Sequence, residues 1–446
     1  MLIDFTVSNY QSIKEEQTFS FVSESRTEDK NAVFNLENNT IKLYPFSIIY
    51  GPNASGKSKF ISALDDLCNF VKESYKYEEG ADIPAYKPFL LDKEYINKPT
   101  HFEIEYEIDN NRYLYVLEIG RNSVLKEELY LYSYNKRASK SAVFKREIGK
   151  DIYYGSLFSG SKKALETFLL SNQSLLSRTG NSNNDSLKSP YKFFKDQIDF
   201  YRPKPDELSE GYLTTILLER NDKFKQTILN FLSAADIQIE DLKIEHTKKS
   251  EILEHVQNDF NNLKNDDIEL LKRVYSAEPK MAHKVIGSDI NNLAYFDLAT
   301  QESAGTKKLY DLAAYIVESL FLGTVLVIDE FNNGLHPVIQ KMIIDMYLDP
   351  EINIMHAQLL VTSHDTFIMD SCELKREQIW FTDKNNFGAT ELYCLNEFDK
   401  NLIRDYLNYG KYYFDGRFKA LPAISKINLN YRRDMKNAKS KKTGWI

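Results

Sequence analysis

The chain has 446 residues, enough for about three average domains at a prior of roughly 150 residues each, and 42% of it is apolar, which supplies a real core. Its 57 basic and 65 acidic residues leave a net charge of −8, which excludes a global basic field for nucleic acid while leaving room for a local basic patch. Cys68, Cys372 and Cys394 lie far apart without metal-ligand spacing, which excludes a disulfide framework, and no apolar run approaches the ~20 residues of a membrane span.

The N-terminus "MLIDFTVSNYQSIKEEQTF" alternates apolar and polar residues like an edge strand and does not read as a signal peptide. Reducing-compartment cysteines and the missing leader place the chain in the cytoplasm, with no membrane partner. Strands are expected at Leu2 to Val7, Thr18 to Val22 and Phe46 to Tyr50, followed by a glycine-containing loop and a helix whose apolar face is Phe60, Leu64, Leu67 and Val71.

From about 101 to 155 the period becomes two. "HFEIEYEI" and "RYLYVLEI" flank "DNN" as a hairpin, and "LKEELYLYSY" continues the meander. Residues 177–190, "SRTGNSNNDSLKSP", read as a polar, mobile loop. Residues 205–280 look helical, with Leu213, Ile216, Leu217, Phe224, Ile228, Phe231 and Leu232 at helical spacings. Heptads are too short for an extended coiled coil, and no internal repeat signals a solenoid.

After about 290 strand and helix alternate again. Leu309, Leu312, Ala313, Ile316, Val317 and Leu320 form one helical stripe, and "GTVLVIDE" and "AQLLVTSHD" read as buried strands of a parallel sheet. Functional residues stand at the C-terminal ends of both strands, where open α/β sheets place ligands.

Gly51-Pro52-Asn53-Ala54-Ser55-Gly56-Lys57-Ser58 matches the phosphate-binding loop pattern, between strand and helix as the mechanism demands. The glycines let backbone amides turn onto phosphates, and the helix directs its positive end at them. Lys57 is placed to reach the β- and γ-phosphates of ATP, and the Ser58 hydroxyl to ligate Mg²⁺. In "VLVIDEF", Asp329 is placed to hold Mg²⁺ through water, and Glu330 to polarise the attacking water.

His364 follows the next buried strand, from which its imidazole can sense the γ-phosphate; a structural histidine is the competing reading. His336, in "NNGLHP", has two readings of equal weight, contact with a neighbouring subunit or capping of the turn before Pro337. Ser303 and Gly305, in "QESAGTKKLYDLAAYIV", open an amphipathic helix, so a hydroxyl, free amides and a helix N-terminus make a second anion-docking end.

The order "GPNASGKS", "ESAGT", "VLVIDE", "NGLHP", "TSHD" resembles the Walker A, signature, Walker B, D-loop and H-loop of ABC-type ATPase heads, the branch with SMC-like proteins and OLD-family nucleases. The likeness covers roughly 1–75 and 290–395. "NYQSIKEEQTFSF", "IIYGPNASGKS", "PFLLD" and "GRFKALPAI" further resemble AAA-type ATPases of bacterial abortive-infection operons, including RloA-like and AbiL-type proteins and the PARIS ATPase. The signature departs from the transporter form, reading "SAGT" where "SGGQ" is usual, and "YKPFLLD" stands where a Q-loop glutamine belongs.

The resemblance implies an α/β head, a doubly wound sheet split by a long α+β insertion. The expected division is 1–75 and 291–395 for the two halves of the head, 76–290 for an insertion serving as lid or partner platform, and 396–446 for a C-terminal extension. It further implies that Ser303 and Gly305 act in trans, closing a homodimer, or a multiple of dimers, on ATP. Antiphage defence follows as the expected role, with a phage-derived trigger and a separate effector that is a nuclease.

Two other readings stand beside this switch. A self-sufficient OLD-like nuclease needs a carboxylate cluster after the core, where Asp383, Asp399, Asp405 and Asp415 are scattered. An SMC-like DNA repair ATPase needs long coiled-coil arms. The tail from Lys426 to Lys442 carries seven basic residues against Asp434, with Tyr431 and Trp445 nearby, and reads either as a nucleic-acid contact or as a solvated extension.

Overall fold

The structure, a computed structural model, describes residues 1–23, 34–36, 41–133, 139–159, 162–180, 185–201, 211–220, 222–235, 238–246, 273, 276–286, 292–399 and 409–421. Its organising element is a six-stranded sheet in the spatial order Ile198–Tyr201, Val325–Ile328, Gln358–Ser363, Phe46–Tyr50, Ile379–Lys384, Thr390–Cys394. The first five strands are parallel and the last is antiparallel to its neighbour. Parallel pairing brings the strand ends Tyr201, Ile328, Ser363 and Tyr50 to the same end of the sheet, so the segments that leave them, including the phosphate loop, the acid pair and His364, start from one side.

Both faces of this sheet are covered, as its near-continuous apolar strands require. Ile49, Val325, Val327, Leu360 and Trp380 point to one core, with Phe60, Leu64, Leu67 and Val71 of the helix Lys57–Glu73. Phe46, Ile48, Tyr50, Leu326, Ile328, Leu359 and Val361 point to the other, with Leu309, Leu312, Ala313 and Ile316 of the helix Ala304–Leu322 and Ile343 and Ile344 of the helix Pro337–Leu348. This is the expected α/β architecture, a doubly wound sheet interrupted by a long insertion.

The second sheet has seven antiparallel strands, in the order Tyr153–Tyr154, Ser139–Glu147, Val124–Ser133, Asn111–Ile119, Thr100–Ile108, Leu2–Ser8, Gln17–Ser20. The expected hairpin closes through Asp109 and Asn110, both left-handed at φ 50° and 61°, the two-residue turn whose twist suits flanking strands. Leu2–Ser8 is not the edge strand its alternation suggests. It pairs with Gln17–Ser20 on one side and Thr100–Ile108 on the other, because Leu2, Phe5 and Val7 are buried against the helix layer.

The sheets also run across the expected domain limits. The meander at 100–154 extends the N-terminal sheet, so residue 75 does not separate them, and Ile198–Tyr201, inside the 76–290 span, is a strand of the central sheet.

Two local expectations are corrected. Leu175–Gly180 and Asp185–Asp196 are helices that overlap the stretch read as a mobile loop, of which 181–184 lie outside the described residues. The buried Glu127 carboxylate accepts from the amides of Leu175 (2.8 Å) and Leu176 (3.0 Å), and Leu187, Phe193 and Phe194 bury the second helix. In the 205–280 stretch, Tyr212–Arg220 and Asp222–Ala234 are helical as expected, but Asp241–His246 and Ala277–Lys284 are strands that form a three-stranded sheet with Leu293–Asp297. Asp405, the basic tail at 426–442, Tyr431 and Trp445 lie outside the described residues. Among the described residues no helix is long and apolar enough to cross a membrane.

Candidate functional site

The phosphate loop leaves Phe46–Tyr50 and enters the helix Lys57–Glu73, whose first turn has no side-chain cap and no acidic residue. Its leading amides are therefore free for an anion. Gly51, Ala54 and Gly56 hold positive φ of 156°, 63° and 117°. Both glycines are forced. A Cβ on Gly51 would lie 2.4 Å from the Thr382 carbonyl, and one on Gly56 2.1 Å from Thr390 Oγ1.

Thr382 and Thr390 belong to the last two strands of the central sheet and roof the loop. Ser55 Oγ and Thr382 Oγ1 are 2.6 Å apart, and Thr390 Oγ1 donates to the Ser55 carbonyl at 2.8 Å. Ser12 joins them, its hydroxyl 2.9 Å from Thr390 Oγ1. Pro52 is half-buried, Asn53 and Ala54 are exposed, and Ser58 is half-buried at the second position of the helix.

Lys57 folds back on its own loop, donating from Nζ to the carbonyls of Gly51 (2.8 Å) and Pro52 (3.1 Å). Burial pulls its pKa down to about 8, against the opposing pull of Asp329 and Glu330. His364 is held below its ordinary value first by burial and then by the Lys57 ammonium, with Glu330 and Asp329 acting the other way, so it is neutral at pH 7. Lys57, Asp329, Glu330 and His364 thus influence one another's charge at the end of the sheet from which their strands and loops lead.

Thr362, on Gln358–Ser363, organises the acid pair. Its hydroxyl donates to Asp329 Oδ1 and accepts from the Glu330 amide at 2.8 Å, and its carbonyl accepts from the Phe331 amide at 2.9 Å. Glu330 is thereby fixed at φ 52°, a left-handed conformation rare outside glycine, with its side chain exposed. Asn332 Oδ1 accepts from Ser363 Oγ and the His364 amide, both at 3.1 Å, tying the segment after the acid pair to the turn that carries His364.

Ser303 caps Ala304–Leu322, accepting from the Thr306 amide at 3.1 Å, and is itself exposed. Gly305 is under no such compulsion as Gly51 and Gly56, since a Cβ there would meet nothing closer than 3.7 Å. No hydrogen bond links Ser303 or Gly305 to the phosphate loop among the described residues. His336 takes the capping role, with Nδ1 accepting from the Val338 amide at 3.2 Å and Pro337 opening the helix. Thr362 was within reach of sequence reasoning, two residues before His364. Ser12, Thr382 and Thr390 carried no signal, because their meeting depends on strands hundreds of residues apart in sequence.

Residues 46–370 match the family model described as "AAA domain, putative AbiEii toxin, Type IV TA system". The chain belongs to this AAA family. The matched span runs from the strand before the phosphate loop past His364 and stops short of Thr382 and Thr390, the roof of the loop. Three solved structures are similar at low identity. The SMC head domain from Thermotoga maritima has 12% identity and a TM-score of 0.39, covering 88% of this chain and 98% of that one. An SMC head bound to the C-winged helix domain of ScpA has 11% identity and a TM-score of 0.40, covering 88% and 97%. The recombination mediator protein RecF-ATPrS of the RecFOR pathway has 14% identity and a TM-score of 0.31, covering 88% and 98%. No curated protein matches the AAA chain significantly.

Proposed function

We propose that this AAA protein binds and hydrolyses ATP and works as a switch in bacterial antiphage defence, dimerising through composite ATP sites and controlling a separate toxic effector. The observation that carries the reading is the poise of Lys57. It is a buried ammonium resting on two carbonyls of its own loop, beside an uncapped helix N-terminus and facing two carboxylates. Triphosphate oxygens are stronger partners for that ammonium than neutral carbonyls.

Mg²⁺ fits the donor chemistry, since Ser58 and Asp329 offer hard oxygen ligands. Among the described residues no group of three or more His, Cys, Asp or Glu gathers to hold a metal unaided, so phosphate and water oxygens complete the shell. The ion supplies charge neutralisation on the β- and γ-phosphates when bound. Glu330 then takes a proton from water as its oxygen attacks the γ-phosphorus, while the bond to the ADP oxygen breaks. Neutral His364 donates a hydrogen bond toward the developing phosphate charge.

Gly305 supports the trans arrangement. No described residue crowds it, so a glycine there serves the approach of something from outside, and the capped helix end beside it is an anion-docking feature. Ser303 and Gly305 are accordingly assigned to the γ-phosphate of a partner subunit. Residues Lys87 to Leu91, from the stretch aligned with a Q-loop, line a cleft with Gln11, Ser12 and Lys59 and are assigned to coupling between insertion and nucleotide. The family description and the likeness to abortive-infection ATPases support the defence role, and a phage-derived trigger and a cytoplasmic setting are assigned with it.

The test combines hybrid subunits with infection. Mixing Ser303→Arg and Lys57→Ala chains should restore ATPase activity at one hybrid interface; no rescue in confirmed hybrids removes the trans model. Expressed alone during infection, the chain should not protect, and with Mg²⁺ or Mn²⁺ and ATP it should leave DNA and tRNA intact. Protection without a partner gene, or cleavage that survives Glu330→Gln, promotes the self-sufficient nuclease instead.

A further inference from the structure

A lysine on the helix Ala304–Leu322, about a turn and a half beyond its cap, has no part in the mechanism above. Lys308 is half-buried, and a Cβ on the D-loop residue Gly334 would touch its Cγ and Cβ at 3.5 and 3.6 Å, so its stem packs there. Its ammonium donates to the Tyr201 hydroxyl at 3.0 Å and lies 4.1 Å from the centre of that ring. Tyr201 pairs in register with Ile328, the residue before the acid pair, and donates onward to Asp311. The ammonium is thus anchored at the sheet edge from which Glu330 projects.

Burial depresses the Lys308 pKa, while Asp311 and Glu330 pull it upward, so the charge is partly desolvated and feels both carboxylates. No carboxylate among the described residues lies within ion-pair distance of it. Glu330 has the complementary deficit. Its backbone is fixed by Thr362, but its carboxylate accepts no hydrogen bond from a described residue. Lys57 and Lys308 both feel its charge. Phosphate binding claims Lys57 and adds several negative charges beside Glu330, whereas Lys308 stays on its tyrosine.

We propose that Lys308, anchored by Tyr201, is a positioning residue that holds the Glu330 carboxylate of its own subunit in place for the attacking water once ATP has engaged Lys57. The proposal rests on the ATPase reading and deepens it. It also gives the helix a second role: the end capped by Ser303 faces a partner's phosphate, and the same rigid rod carries the cation that steadies Glu330, so docking at one site is mechanically joined to the base of the other.

The experiment measures steady-state hydrolysis and, separately, ATP affinity by calorimetry in the full chain. Lys308→Met keeps a stem to fill the space against Gly334 and removes the charge. It should lower kcat about 10- to 100-fold, the scale of one partly shielded charge interaction, and leave KM and ATP affinity as in wild type. Lys308→Arg should recover most of the rate, and Tyr201→Phe should lower kcat in the same direction by a smaller factor. In the hybrid dimer, Lys308→Met should act when it sits on the Ser303→Arg subunit, which supplies the working Glu330, and be silent on the Lys57→Ala subunit.

Wild-type kcat in folded Lys308→Met, a loss traced to affinity, or an effect from the Lys57→Ala subunit overturns the proposal. If Lys308→Met does not fold, Tyr201→Phe decides: unchanged kcat overturns it. A wild-type chain without ATPase activity sinks the functional reading and this inference together, while an active wild type with an indifferent Lys308 sinks the inference alone.

Discussion

The two anion-docking ends of this chain are built to opposite standards. The phosphate loop is walled in by its own chain: Thr382 and Thr390 press so closely on Gly51 and Gly56 that neither accepts a side chain. The end capped by Ser303 stands open, with Gly305 in ordinary contact with its surroundings and Ser303 and Ala304 exposed. A glycine forced by its own fold reports on folding and on the ligand; a glycine that the fold leaves free reports on an approach from outside. The first end is finished within one subunit, and the second, on the proposed trans arrangement, awaits another.

The largest expected effect bears on the chemistry both ends serve. Glu330→Gln preserves shape and the backbone clamp from Thr362 but removes the base, so hydrolysis should fall by the ~10² to 10⁴ typical of general-base loss while ATP stays bound. The ATP-bound dimer should then outlast that of the wild type in size-exclusion chromatography. Dissociation at the wild-type rate would detach hydrolysis from dimer release.

Lys57→Ala comes next. Removing a charge-assisted contact should weaken ATP binding about 10- to 150-fold by calorimetry. Wild-type affinity in the variant would remove Lys57 from the site.

A matched pair of alanines sharpens the contrast directly. Gly56→Ala puts a Cβ 2.1 Å from Thr390 Oγ1 at a φ of 117°, so it should cost about 1 to 3 kcal/mol of stability, the range for overpacking, and abolish ATP binding. Gly305→Ala has 3.7 Å of clearance and should leave the melting temperature and ATP affinity unchanged while slowing hydrolysis. Equal melting losses would erase the distinction between a forced glycine and a free one.

The same asymmetry explains what was legible in the sequence. Motifs confined to a few consecutive residues, the loop at 51–58 and the acid pair Asp329-Glu330, were readable because local spacing alone imposes their chemistry. Their order along the chain made the head and its long interruption readable too. The walls of the site were not. Thr390 reaches the loop only because Phe46–Tyr50 and Ile379–Lys384 pair side by side and Thr390–Cys394 adds on, a register set by burial across the whole sheet. The alternating pattern of Leu2–Ser8 likewise identified a strand without showing that both of its edges are paired, since polar side chains such as Asp4 and Thr6 occur on paired strands as well as edge ones.

The smallest effect is a proton. In the free protein burial holds Lys57 at about 8 instead of 10.5, so the folded chain resists its charge. Because the folded value lies below the unfolded one, the penalty is present below about pH 8 and fades as pH rises toward 10.5; relative to Lys57→Met, the free protein should gain stability across that window. Triphosphate reverses the balance by favouring the ammonium, so the bound pKa rises. At pH 8.5, where the free lysine is mostly neutral, ATP binding should therefore take up a fraction of a proton per site, and almost none at pH 6.5, where it is already charged. Binding enthalpies in buffers of different ionisation heat measure that number directly. Uptake that vanishes in Lys57→Met assigns it to this residue; uptake that persists there places the proton elsewhere, with His364 the next group to examine, since Lys57 itself helps to hold it neutral.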